Sequence, residues 1–153
     1  MVKVRRIVKE GDPILRKHAQ QILHFGNNLH QLLDDMYETL KKNEGVGLAA
    51  PQVGISKRAI IVLNLEDDEL IEMVNPEITE AKGLKSDWEA CLSVPHLTGK
   101  VPRAASVTVK ARDRNGNFVE RKAKGRLARI FQHEIDHLNG QLFIDIMTEA
   151  EEE

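Results

Sequence analysis

His133 and His137 stand four residues apart in the run Gln132-His133-Glu134-Ile135-Asp136-His137. On a helix that spacing places both imidazoles on one face, where they can hold a metal ion between them. Glu134 would lie beside such an ion, too far round the helix to ligate it yet close enough to take a proton from a water polarised there. The pattern suits hydrolysis; the competing account is a chance pair of solvated histidines. A His pair also needs a third protein ligand if a catalytic site is to keep one position open. The only thiol of the chain, Cys91 in Glu89-Ala90-Cys91-Leu92-Ser93-Val94-Pro95, offers one, against the alternative of a small buried hydrophobe. A third segment, Gly45-Val46-Gly47-Leu48-Ala49-Ala50-Pro51-Gln52-Val53-Gly54, packs small residues around a single amide. A backbone has that composition when it approaches a ligand closely while a side chain such as Gln52 donates a hydrogen bond, although an ordinary Gly-rich loop has it too.

Helices and strands must hold these groups in place. Between Asn28 and about Asn43, Leu29, Leu32, Leu33, Met36 and Leu40 fall at helical spacing, with Asp34, Asp35, Lys41 and Lys42 outside the stripe. The spacing predicts an amphipathic helix whose Met and Tyr fill the core. Asp12-Pro13-Ile14-Leu15 offers an N-cap followed by Pro at the first helical position, so a short helix is expected there. Residues 58–63, 70–74 and 106–111 read as strands, the last with Val107 and Val109 alternating, and Asn115-Gly116 is a tight-turn signal. A helix, then strands, then a helix bearing the His pair, with no βαβ alternation, predicts an α+β fold.

The 153 residues suit one domain over the whole chain, 1–153, with the acidic end from Glu149 to Glu153 expected to fray. Twenty-two Lys and Arg against 24 Asp and Glu give a net charge of -2, so no overall basic field recruits nucleic acid or an anionic membrane. One cysteine excludes an internal disulfide. No stretch approaches the ~20 apolar residues of a membrane span, and residues 1–12 lack the apolar core of a signal peptide. The cytosol is the expected compartment, or an organelle if a transit peptide has been removed.

Taken in order, the three segments resemble the peptide deformylase family. Its Gly-x-Gly-x-Ala-Ala-x-Gln loop, Glu-Gly-Cys-x-Ser strand and Gln-His-Glu-x-Asp-His helix are matched by residues 45–52, 89–93 and 132–137. The likeness takes in Val101-Pro102-Arg103 and Leu127-Ala128-Arg129 as well. It implies antiparallel or mixed sheets around a central metal-binding helix. It implies that Cys91, His133 and His137 ligate one divalent ion, ferrous iron by family habit, with zinc, nickel or cobalt compatible with a soft thiolate. Glu134 is then the acid and base, while the Gln52 amide and the backbone N–H of Leu92 hold the oxyanion. The implied reaction removes the formyl group from the N-terminal formylmethionine of nascent proteins and releases formate. The peptide would lie as an added strand between Gly45, Val46 and Gly47 on one side and Glu89 and Ala90 on the other, with Leu127, Ile130 and His133 around the methionine.

Two departures and two rivals frame that reading. Ala90 stands where the family has Gly, which a strand tolerates if φ is negative and resists if φ is positive. The resemblance also implies transient contact with the ribosome, but the chain stops soon after Ile144-Asp145-Ile146, without the long C-terminal helix of some relatives, and an acidic tail would oppose RNA. A general zinc protease would share the His-Glu-x-x-His pattern without needing the Gly-rich loop or the Cys strand. A non-catalytic or weakly active peptide-binding relative would keep the fold while losing Glu134 or a ligand, and none is missing here.

Overall fold

The computed structural model describes residues 1–153. Helix α1 spans Asn27–Lys42, and its stripe is buried as expected: Leu33 and Met36 have no exposure, and Leu29, Leu32 and Leu40 retain at most 6%. Each such side chain contributes about 1.5–3 kcal/mol by leaving water. Tyr37 packs half-buried at the edge of this cluster. Asp35 departs from the expectation that it lies outside the stripe. Its side chain is fully buried, because the N-terminal segment crosses the helix there and supplies partners: the Lys3 N–H at 3.0 Å and the Arg5 guanidinium at 2.9 Å.

Five antiparallel strands form one sheet in the order β1 (Gly47–Ala49), β2 (Ala59–Asn64), β3 (Glu69–Lys82), β6 (Ser106–Arg112) and β7 (Phe118–Lys124). Strand β2 is apolar throughout because both its faces are covered. Ile60 and Val62 join the cluster under the second helix, α2 (Gly125–Leu138), while Ala59 and Ile61 join the cluster under α1. Val107 and Val109 also point to α2, bearing out the alternation of the strand read at 106–111. The strand read at 70–74 is the first part of a 14-residue strand, β3, bent by two irregularities; Asn75 adopts φ +52° at the first and ties its amide to both backbone groups of Ile22.

A second antiparallel sheet has the order β4 (Lys85–Cys91), β5 (Val94–Arg103), β8 (Glu149–Glu152). The acidic end, expected to fray, forms the outer strand of this sheet. It pairs with Leu97 to Lys100 through backbone bonds that do not depend on side-chain type. The expected helix at Asp12 is a single 3-10 turn, Pro13–Arg16, with the Asp12 carboxylate accepting from the Ile14 N–H. Asn115-Gly116 lies in the five-residue connection 113–117 between β6 and β7, closed by the Asp113 N–H on the Asn117 carbonyl, in which only Gly116 is left-handed. Helix α2 is buried on nearly all sides, packing Ala128, Phe131 and Leu138 into the core of the five-stranded sheet. It stops at Asn139-Gly140, where Gly140 takes φ +74° and a Cβ would strike the Arg16 carbonyl oxygen.

Candidate active site

Helix α2 and the β4–β5 hairpin bring Cys91, His133 and His137 together, one donor atom from each lying within 4.8 Å of the others. The His137 Nε2 is 3.4 Å from the Cys91 Sγ. His133 turns its Nδ1 to Glu89 at 2.8 Å, which leaves Nε2 for the site. The surroundings suit a cation. Burial pushes the His137 pKa well below the ordinary imidazole value, keeping that ring neutral as a ligand must be. Burial would do the same to His133, yet Cys91 and Glu89 overcome it and favour positive charge at that spot. One soft thiolate and two imidazoles make a donor set for a transition metal or zinc, and the residues present fit such an ion.

Glu89 lies on β4, the strand expected to flank the peptide, and lines the cavity, while its carboxylate is engaged by protein donors. Its side chain is buried behind His133 and accepts from four donors: His133 Nδ1, Nε and Nη2 of Arg103 at 2.6 and 2.9 Å, and Nη1 of Arg129 at 2.7 Å. Burial alone would raise its pKa, but His133 and Arg103 hold it down at about 2. Asp136 completes the cluster through Arg103 at 2.8 Å. Arg103, Arg129 and Asp136 carry no role in the sequence reading, and the signal was faint. An arginine inside each of two otherwise apolar runs is a signal that could have pointed to a buried anion.

Glu134 is 4% exposed and lies against β1: a Cβ on Gly47 would meet Glu134 Oε2 at 2.6 Å and Ile130 Cγ2 at 2.9 Å. A side chain at the second glycine of the loop would thus displace the carboxylate of α2, whose Oε1 is buried with no protein partner. Burial raises the Glu134 pKa to about 7, which suits a group that must both take and return a proton near neutrality. Gln52 sits on the 3-10 turn Ala50–Val53, which ends at left-handed Gly54. Its Oε1 accepts from the Ala49 N–H at 3.0 Å, so its Nε2 is directed to Ser93 Oγ at 3.1 Å and Cys91 Sγ at 3.5 Å. Ala90 is exposed and has no left-handed φ, so the strand tolerates its methyl group.

A cavity of about 750 Å³ joins these groups. Gly45, Val46, Gly47, Gln52, Ala90, Leu92, Ile130, His133 and Glu134 line it, as do Glu89 and Cys91. Leu127 packs half-buried against the core of the five-stranded sheet and is not among the residues that line the cavity.

The family model described as polypeptide deformylase matches residues 4–153. A peptide deformylase of Halothermothrix orenii is 53% identical over 150 residues, covering 98% of this chain and 97% of its own length. The crystal structure of a peptide deformylase from Legionella pneumophila superposes with a TM-score of 0.92 at 45% identity, over 95% of this chain and 86% of that one. A class I type b peptide deformylase from Acinetobacter baumannii, solved with Met-Ala-Ser bound, gives 0.90 at 43% identity over 96% of this chain and all of its own. With a thiol and two imidazoles gathered on one helix and one hairpin, and with likeness of this depth along nearly the whole chain, the protein belongs to the peptide deformylase family.

Proposed function

We propose that this enzyme is a metal-dependent hydrolase that removes the formyl group from N-formylmethionyl chains, with Cys91, His133 and His137 as ligands and Glu134 as acid and base. The observation that carries the reading is the buried Glu134 carboxylate beside the three clustered donors, one of its oxygens unpartnered. When bound, a divalent ion would supply Lewis acidity for water and for the formyl carbonyl; the family resemblance points to ferrous iron, and zinc, nickel and cobalt suit the same donors. Glu134, with its pKa near 7, takes the proton of the attacking water and delivers it to the departing amine, giving formate and a free N-terminus. The Gln52 amide and the Leu92 N–H hold the oxyanion.

Two open sheet edges support binding of an extended peptide. β1 and β4 are each the outer strand of their sheet, and both line the cavity. A chain laid between them gains main-chain hydrogen bonds without being read for sequence. The Acinetobacter baumannii relative bound to Met-Ala-Ser accords with such a product. Ile130 and His133 would enclose the methionine, and a cavity closed against Glu134 and Cys91 would exclude acyl groups larger than formyl.

Formate release from a short formyl-methionyl peptide, measured together with metal content, tests the reading. Glu134→Ala is expected to keep its ion and lose about 10²- to 10⁴-fold in turnover. Wild-type turnover in that variant would remove Glu134 from the mechanism.

A further inference from the structure

Residues 8–10 touch both turns on which the proposed oxyanion donors sit. The Val8 N–H donates to the Gln52 carbonyl at 2.7 Å, the Glu10 N–H to the Ser93 carbonyl at 2.7 Å, and Lys9 Nζ to the Leu92 carbonyl at 3.2 Å. Gln52 follows β1 of the five-stranded sheet, whereas Leu92 and Ser93 form the two-residue connection between β4 and β5 of the other. The relative position of the two donors therefore depends on how the sheets are tied together at this point.

The β4–β5 connection needs such a tie. Two-residue hairpin loops favour primed turns, which require a positive φ at the first or at both central residues. Neither Leu92 nor Ser93 has one, and the ladder is out of register between Glu89 and Cys91. A turn without its preferred geometry is held by contacts from outside. Ser93 is fully buried, with its hydroxyl taken by Gln52 and its carbonyl by Glu10. The segment itself is anchored at both ends, by Arg5 on Asp35 of α1 and by Arg16 on Asp145 at 2.6 Å.

We propose that residues 8–10 form a positioning strap for the oxyanion site, fixing the spacing of Gln52 and Leu92 from behind the cavity without touching substrate. This rests on the assignment of those two donors under the proposed function. An oxyanion donor acts only at hydrogen-bond distance from the position that the developing charge will occupy, so a displacement of the turn should slow turnover and spare binding.

Val8→Pro removes the N–H that reaches Gln52, Lys9→Met removes the exposed ammonium on Leu92, and Ile7→Ala, which loses buried packing beside the strap but no donor, serves as the control. Steady-state deformylation of a formyl-methionyl peptide, melting temperature and metal content are read for each. In Val8→Pro, kcat is expected to fall about tenfold at constant KM and metal content. In Lys9→Met a two- to threefold fall is expected with an unchanged melting temperature. Ile7→Ala should melt earlier with kcat intact. The proposal is overturned if Lys9→Met keeps wild-type kcat and Val8→Pro either does the same or behaves like Ile7→Ala. Should Val8→Pro not fold, the Lys9→Met result alone decides. Glu134→Ala separates the two readings: full activity there defeats the proposed function, whereas loss there with normal kcat in the strap variants defeats only the strap.

Discussion

Glu89 shows how much of this site depends on a carboxylate held behind one of the three clustered donors, His133. Its carboxylate accepts four donors on two oxygens, so it fixes the His133 ring and neutralises two guanidiniums at once. A ligating imidazole whose other nitrogen meets a carboxylate is both oriented and made more basic. Glu89→Gln keeps the shape but removes the charge, leaving Arg129 against a neutral amide and Arg103 with only Asp136 as its anion. Metal affinity in that variant is expected to fall about 10- to 100-fold, measured by competition with a chelator. The melting temperature should fall as well, because buried guanidiniums lose a counter-charge. Unchanged affinity would show that His133 holds its orientation without Glu89. Residue types, spacing and the family resemblance singled out Cys91, His133, His137, Glu134 and Gln52, and the fold gathers the first three within 4.8 Å and sets Glu134 and Gln52 on the same cavity. Residue types and spacing did not reveal that Glu89 turns inward, since the donors converging on it come from residues 14, 40 and 44 positions away.

The site is also a meeting of elements, and β1 approaches α2 closely at Gly47. Gly47→Ala would place a methyl group where Glu134 Oε2 and Ile130 now stand. Turnover should fall by at least tenfold, with metal content kept and the fold intact by circular dichroism; normal turnover would mean that the carboxylate shifts freely without cost. The elements that were legible in the sequence are those with an apolar period. α1 and the strand at Ser106–Arg112 bury one face each, and β2, buried on both faces, reads as a continuous run. β4 has a single buried residue, Glu89, and β8 has none, so neither carries a hydrophobic pattern. Such strands are recruited by backbone pairing to a neighbour, which residue types signal weakly. The C-terminal part of β3 was hidden for the same reason, being exposed from Thr79 to Lys82.

At the scale of the whole molecule, the N-terminal segment links α1, both sheets and the C-terminal turn, and Asp35 anchors its start. Nothing around Asp35 in the sequence marks it as buried, because its Lys3 and Arg5 partners lie more than a helix length away along the chain. Burial by itself would raise its pKa; the bonds from Lys3, Gln31 and Arg5 outweigh that and lower it below the ordinary value. A lowered folded-state pKa means that the anchor contributes its full stability above the unfolded pKa of about 4 and loses it as pH falls through the folded value. Asp35→Ala should therefore cost about 1–3 kcal/mol at neutral pH, the range for losing hydrogen bonds to a charged group. The gap between variant and wild type should narrow as unfolding is followed below about pH 4. A gap that stays constant to pH 2 would show that the Asp35 charge contributes nothing and that only its packing matters.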